Sequence, residues 1–278
     1  MDINPVPKKR YNVLQPEWSS HAVIYQVNTR QFSEQGDFEG VRKGLAHIKS
    51  LGADIVWLMP VHPIGEKNRK GELGSPYAVK DYYNVNPDLA VDPANRLAEF
   101  EALIARTHAH GMKVIIDIVP NHVARNYESL SSPAGVSDFG AHDNTAVTYA
   151  RDNNFYYVVG ESFQVPATDN GYQPLGGQLH PLADGKFEEN PAKWTGNGAR
   201  AARPDANDWY ETVKVNYGIK PDGSEDFPAL PAGFEQQSVT AHAAFWQDKD
   251  VPDSWQKFRD ITHYWLDKGV DGFRYDMA

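Results

Sequence analysis

The chain has 278 residues, 41% of them apolar and 23% charged, with a formal net charge of -10. That balance supports a sizeable core and excludes disorder as the main state. Acidic residues are spread along the chain and no basic stripe occurs, which excludes nucleic acid and an anionic membrane surface as partners and favours a neutral ligand.

In chain order, the first apolar run, Val23 to Val27, reads as a buried strand. The string HIKSLGADIVWLMP follows: an amphipathic helical stretch, Gly52, then a second strand from Ile55 to Met59. A long connection, residues 60 to 94, rich in Pro, Gly, Asn and Tyr, leads to a helix at Arg96 to His110. Gly111 ends that helix, and a third strand runs from Lys113 to Val119. Roughly residues 123 to 253 separate this strand from the next helix, Trp255 to Lys268, and so long a segment must fold on its own, with short strands such as Asn154 to Val159. After Gly269 comes a fourth strand, Val270 to Tyr275. Gly52, Gly111 and Gly269 take the helix C′ position, where positive φ is cheap only for glycine.

Buried strands alternating with helices make a parallel sheet with helices outside, and both a doubly wound sheet and a (β/α)8 barrel fit. Long strand-to-helix connections on one rim with tight turns on the other are what barrel enzymes show. The glycine-rich phosphate turn of a doubly wound sheet is missing after Val27. The domain reading is 1–122 for the first three barrel strands, 123–253 for an insertion and 254–278 for a fourth helix and strand.

With no cysteine there is neither a disulfide framework nor a thiolate metal site. No run approaches the roughly 20 apolar residues of a membrane span. The start, MDINPVPKKRYNVLQPEW, has no apolar signal-peptide core. Location stays open, with periplasm or medium favoured over cytoplasm.

The chemistry-bearing groups lie at strand ends. The third strand runs into Asp117-Ile118-Val119-Pro120-Asn121-His122, a string that turn capping alone could explain. The fourth runs through Gly272-Phe273-Arg274-Tyr275-Asp276. Arg274 and Asp276, two apart on a strand, point the same way. A structural ion pair is the plain alternative. A guanidinium beside a carboxylate also keeps it ionised, the state a nucleophile at an anomeric carbon needs. The tryptophans Trp194, Trp209 and Trp246 read as core or interdomain packing ahead of sugar platforms.

Together with GSPYAVKDYYNVNP upstream, DIVPNH and GFRYD resemble the α-amylase superfamily of retaining glycoside hydrolases, in the right order and over nearly the whole chain, from Tyr25 to Ala278. The resemblance implies a (β/α)8 TIM barrel, of which the first four βα units are present, with a domain B inserted after the third strand. It implies retaining hydrolysis or transglycosylation of α-1,4-glucosidic bonds, with an α-glucan as partner, and starch or maltodextrin as substrate. Asp276 is implied as nucleophile, and Arg274 as the neighbour fixing its charge and orientation. His122 is implied as the imidazole on the bound sugar and Tyr77 as the aromatic on which it stacks. Asp117, Asn121 and Asp81 are implied in supporting places. HPIGEKNRKGELGSPYAVKDYY is nearest a bacterial branch of maltodextrin-active enzymes.

Two departures qualify this. The family's acid/base Glu follows the fifth strand and a further Asp follows the seventh, so both are expected outside this chain, and the 278 residues alone are expected to be inactive. Many members also bind Ca²⁺ through the Asn matching Asn121 and an Asp of domain B. Here the exit string Lys214-Val215-Asn216-Tyr217 puts an ammonium at the Asp position, so no metal or other cofactor is expected. The rival readings are a non-catalytic amylase-fold homologue and a glucan-binding fragment.

Overall fold

The computed structural model describes residues 17–69, 73–166 and 188–277, so part of the string after Glu66 lies outside the described residues. The chain begins with β1 (Ile24–Val27), α1 (Thr29–Phe32) and α2 (Phe38–Ser50), then β2 (Ile55–Leu58), α3 (Arg96–Ala109) and β3 (Lys113–Ile118). Next come the short strands β4 (His122–Ala124), β5 (Tyr157–Val158), β6 (Ala192–Lys193) and β7 (Thr212–Lys214), and the helix α4 (Val239–Gln247). Helix α5 (Asp253–Asp267) leads to β8 (Gly272–Tyr275).

β1, β2, β3 and β8 pair in that order, all parallel. Spatial order follows chain order, whereas a doubly wound sheet reverses direction at a switch point. These are four successive βα units of a barrel. The two-residue period puts Val56, Leu58, Val114, Ile116 and Ile118 on the helix side, where all are buried. Trp57, Ile115, Asp117 and Arg274 share the opposite face, with Trp57 beside Ile115 and Asp117 beside Arg274.

The helices cover the sheet with one stripe each. Helix α2 starts at Asp37, whose carboxylate accepts the Gly40 N–H at 2.7 Å, and buries Val41, Leu45 and Ile48. Helix α5 buries Ser254, Phe258, Ile261 and Trp265, spacings of three and four that keep one face inward. The turns after α2, α3 and α5 carry Gly52, Gly111 and Gly269 at φ of 86°, 69° and 96°, as the helix-Gly-strand pattern requires.

Strand ends fall slightly inside the expected ones. The Val270 N–H bonds the Trp265 carbonyl and so closes α5 instead of opening a strand. The expected strand from Asn154 to Val159 reduces to Tyr157–Val158, because the N–H groups of Asn154 and Phe155 are taken by the Asp143 carboxylate at 2.7 and 3.0 Å.

The long connection after β2 is bound to the core. Trp265 Nε1 donates to the Tyr82 carbonyl at 2.7 Å, the Tyr82 hydroxyl to the Val119 carbonyl at 2.7 Å, and the Tyr264 hydroxyl to the Tyr83 carbonyl at 3.0 Å. The segment after β3 forms two small antiparallel ladders, β4 with β7 and β5 with β6, and a separate apolar cluster of Phe163, Ala192, Ala202 and Tyr210. Beside that cluster the buried Arg125 binds Glu189 at 2.5 Å and the Tyr210 carbonyl at 2.8 Å, and its guanidinium lies 4.1 Å over the Phe163 ring. A charge is tolerated at such depth only when paired this fully. No helix among the described residues is long and apolar enough to cross a membrane.

Candidate active site

The C-terminal ends of β3 and β8 bring the charged groups together. Asp117 and Arg274 are register partners, and Arg274 Nη1 donates to both Asp117 oxygens, at 3.0 and 3.3 Å. The same nitrogen reaches Asp276 Oδ1 at 2.5 Å. Asp276 is held from behind as well, since its N–H bonds the Ile118 carbonyl at 2.8 Å. One guanidinium thus bridges a buried carboxylate and a cavity-lining one. It also lies 5.4 Å over the Trp57 ring.

The Asp117 carboxyl is pushed up to about 6, because burial disfavours its charge more than the Arg274 contact restores it, and the Asp276 charge adds to the rise. The Tyr77 hydroxyl is raised by burial and by the Asp117 charge. Burial pulls His122 down to about 4 against the opposing Asp276 charge, so its imidazole is neutral near neutral pH.

Asp276 opens into a cavity of about 300 Å³ lined by Ser75, Tyr77, His122, Trp209, Glu211, Thr212 and Met277. That volume lies at the small end of the range for ligand sites, roughly 300–1,000 Å³. Four separate stretches build the wall: the connection after β2, the start of β4, the residues entering β7, and the residues that follow β8. Gly196 permits their close approach, since a Cβ there would meet Thr212 Oγ1 at 2.1 Å. The Trp209 ring stands edge-on to His122 at 5.4 Å and remains 36% exposed.

Of the expected site residues, Asp276, Tyr77 and His122 line this cavity, and Arg274 and Asp117 stand behind Asp276. Asn121 reaches the site only through His122: its Nδ2 lies 2.9 Å from His122 Nδ1 and 2.9 Å from the Gly196 carbonyl. Asp81 does not reach the cavity. Its two oxygens accept the N–H groups of Tyr83 and Leu130, at 2.8 and 3.1 Å, and so shape the loop around it.

One residue corrects the sequence reading and another adds to it. Trp209 was expected in packing and instead faces the cavity, while Trp194 is buried and stacks on Tyr156 at 4.5 Å. Glu211, which the sequence reading did not single out, puts a second carboxyl in the lining.

The surroundings of Asn121 do not fit a divalent cation. Lys214 Nζ donates to Asn121 Oδ1, which puts an ammonium on the oxygen a metal would need. Among the described residues no group of three or more His, Asp or Glu could hold a metal ion.

The curated proteins similar to this chain include probable oligo-1,6-glucosidase 2 of Bacillus subtilis, 29% identical over 270 residues, covering 95% of this chain and 36% of that protein. Probable oligo-1,6-glucosidase 3 of the same organism is 23% identical over 271 residues, covering 93% of this chain and 35% of that protein. The chain therefore spans about a third of the length of these relatives. Among solved structures, the trehalulose synthase MutB from Pseudomonas mesoacidophila matches 95% of this chain and 36% of its own, with a TM-score of 0.51 at 18% identity, a likeness of fold. The α-amylase catalytic-domain profile matches residues 18–174, more than half of the chain, and the chain belongs to that family.

Proposed function

We propose that the protein carrying this chain cleaves α-glucosidic bonds of starch or maltodextrin chains with retention, using Asp276 as nucleophile. The observation that carries the reading is the Arg274 bridge, which ties Asp276 at 2.5 Å to a buried carboxylate at the wall of a saccharide-sized cavity. A retaining reaction proceeds by carboxylate attack on the anomeric carbon, proton donation to the leaving oxygen, and hydrolysis of the covalent intermediate or its transfer to a second sugar.

The residues divide this work. Asp276 attacks, while Arg274 holds its oxygen in place. Tyr77 and Trp209 offer ring faces or edges to the apolar side of a pyranose. His122, neutral, hydrogen-bonds sugar hydroxyls. The proton donor is assigned outside these residues, as the family pattern implies, and Glu211 to recognition from the domain B side. Residues 123–253 are assigned as domain B. With an ammonium at Asn121, the fold needs no calcium there.

Asp276→Ala in the full-length protein lowers kcat on maltooligosaccharides by several orders of magnitude while circular dichroism is unchanged. Retention of about a tenth of the activity overturns the nucleophile assignment. Two of the relatives are named as 1,6-glucosidases, so isomaltooligosaccharides are run in parallel, and turnover of these alone moves the linkage assignment to α-1,6.

A further inference from the structure

We propose that Lys214, from the inserted segment, acts through Asn121 to fix the tautomer of His122, so that the imidazole offers an Nε2–H donor to the ligand. The inference rests on reading the cavity as a saccharide site.

Two neighbours of Asn121 each have only one hydrogen-bonding sense. An ammonium only donates, so the amide atom facing Lys214 Nζ is Oδ1. A main-chain carbonyl only accepts, so the atom 2.9 Å from the Gly196 oxygen is Nδ2. Amide orientation is thereby fixed from both ends by chemistry. The second hydrogen of Nδ2 faces His122 Nδ1 at 2.9 Å, which makes Nδ1 an acceptor. In a neutral imidazole the proton then sits on Nε2.

Flipping the amide would set its NH2 against the Lys214 ammonium and its oxygen against the Gly196 carbonyl, so both contacts would turn repulsive. Without Lys214 only the Gly196 contact resists the flip, and a flipped amide would draw the proton to Nδ1. Lys214 stands directly opposite His122 in the β4–β7 ladder, so its placement follows from strand register. The Nε2–H tautomer can donate to a saccharide hydroxyl oxygen, whereas the Nδ1–H tautomer would offer Nε2 only as an acceptor. Lys214 is in this sense a positioning residue.

The test is nitrogen NMR of the full-length protein labelled with ¹⁵N-histidine, the His122 signals being identified by their loss in His122→Gln. The wild type shows His122 in the Nε2–H form alone. In Lys214→Met the Nδ1–H form appears, and kcat/KM on maltotriose falls in proportion to the lost Nε2–H population. Lys214→Arg keeps a donor at Oδ1 and restores the wild-type pattern. Asn121→Asp, which offers only acceptors, moves the proton to Nδ1. Unchanged signals from the other histidines show that each variant is folded. An Nδ1–H tautomer in the wild type overturns the proposal, as does an unmixed Nε2–H tautomer in a folded Lys214→Met. If Lys214→Met does not fold, Asn121→Asp decides, and retention of Nε2–H alone overturns the proposal. An Nε2–H ring in a protein that turns over no saccharide overturns the functional reading and leaves the tautomer assignment standing.

Discussion

Asp117 shows how one side chain ties the site to pH. Its carboxyl sits near 6 against an ordinary 3.8 because it is buried. Its contribution to stability is therefore complete below about pH 4, is lost as pH rises through about 6, and changes little beyond. The most it can amount to is about 3 kcal/mol. Asp117→Asn keeps the shape and cannot titrate, so its melting temperature relative to wild type should climb steadily between about pH 4 and 7. An offset that does not vary over that range would show that burial is not what perturbs Asp117. Arg274 and Asp276 were legible as a pair because strand geometry places residues two apart on one side, whereas the place of Asp117 beside them was implied by the family resemblance and is set by the register of β3 with β8. Trp209 and Glu211 were not legible. They lie in an irregular stretch leading into a three-residue strand, and their direction is set by the pairing of β7 with β4, which no local periodicity encodes.

At the scale of elements, the inserted segment completes the cavity, with Trp209, Glu211 and Thr212 entering from one short strand and its approach. Glu211→Gln and Trp209→Ala in the full-length protein should raise KM about tenfold and change kcat little, since each removes a contact made before chemistry. A fall in kcat by several orders in Glu211→Gln would instead make Glu211 the proton donor. The same strand carries Lys214, whose ammonium occupies Asn121 Oδ1. A chelator should therefore leave the melting temperature where it was, whereas loss of a bound metal would lower it by several degrees. The core strands and the helices α3 and α5 were readable from apolar runs and glycine punctuation. The interior of the insertion was not, because side chains such as Asp143 satisfy its main chain where a ladder was expected.

For the whole molecule, the outer edges of β1 and β8 have no strand partner among the described residues. Ile24 is 53% exposed and Tyr275 46%, and Trp57 and Ile115 on the face away from the helices are only partly buried. Unpaired apolar edges template association. The 278 residues expressed alone should elute from size exclusion as oligomers or aggregates, and a monodisperse monomer would show that the edges are protected by other means. The sequential order of the sheet was legible from the repeated helix-Gly-strand pattern, whereas the exposure of its edges became visible only with the strands placed.

The distribution of indoles has an optical consequence. Trp265 is fully buried against Phe100 and His62, its N–H held by the Tyr82 carbonyl, so its emission is blue-shifted and reddens only when the barrel core opens. Trp209 stands at the cavity mouth, 36% exposed, so its emission is redder and responds to whatever displaces water from that rim. Five further tryptophans contribute to the total emission, so difference spectra against Trp265→Phe and Trp209→Phe are what separate core opening from occupancy of the cavity.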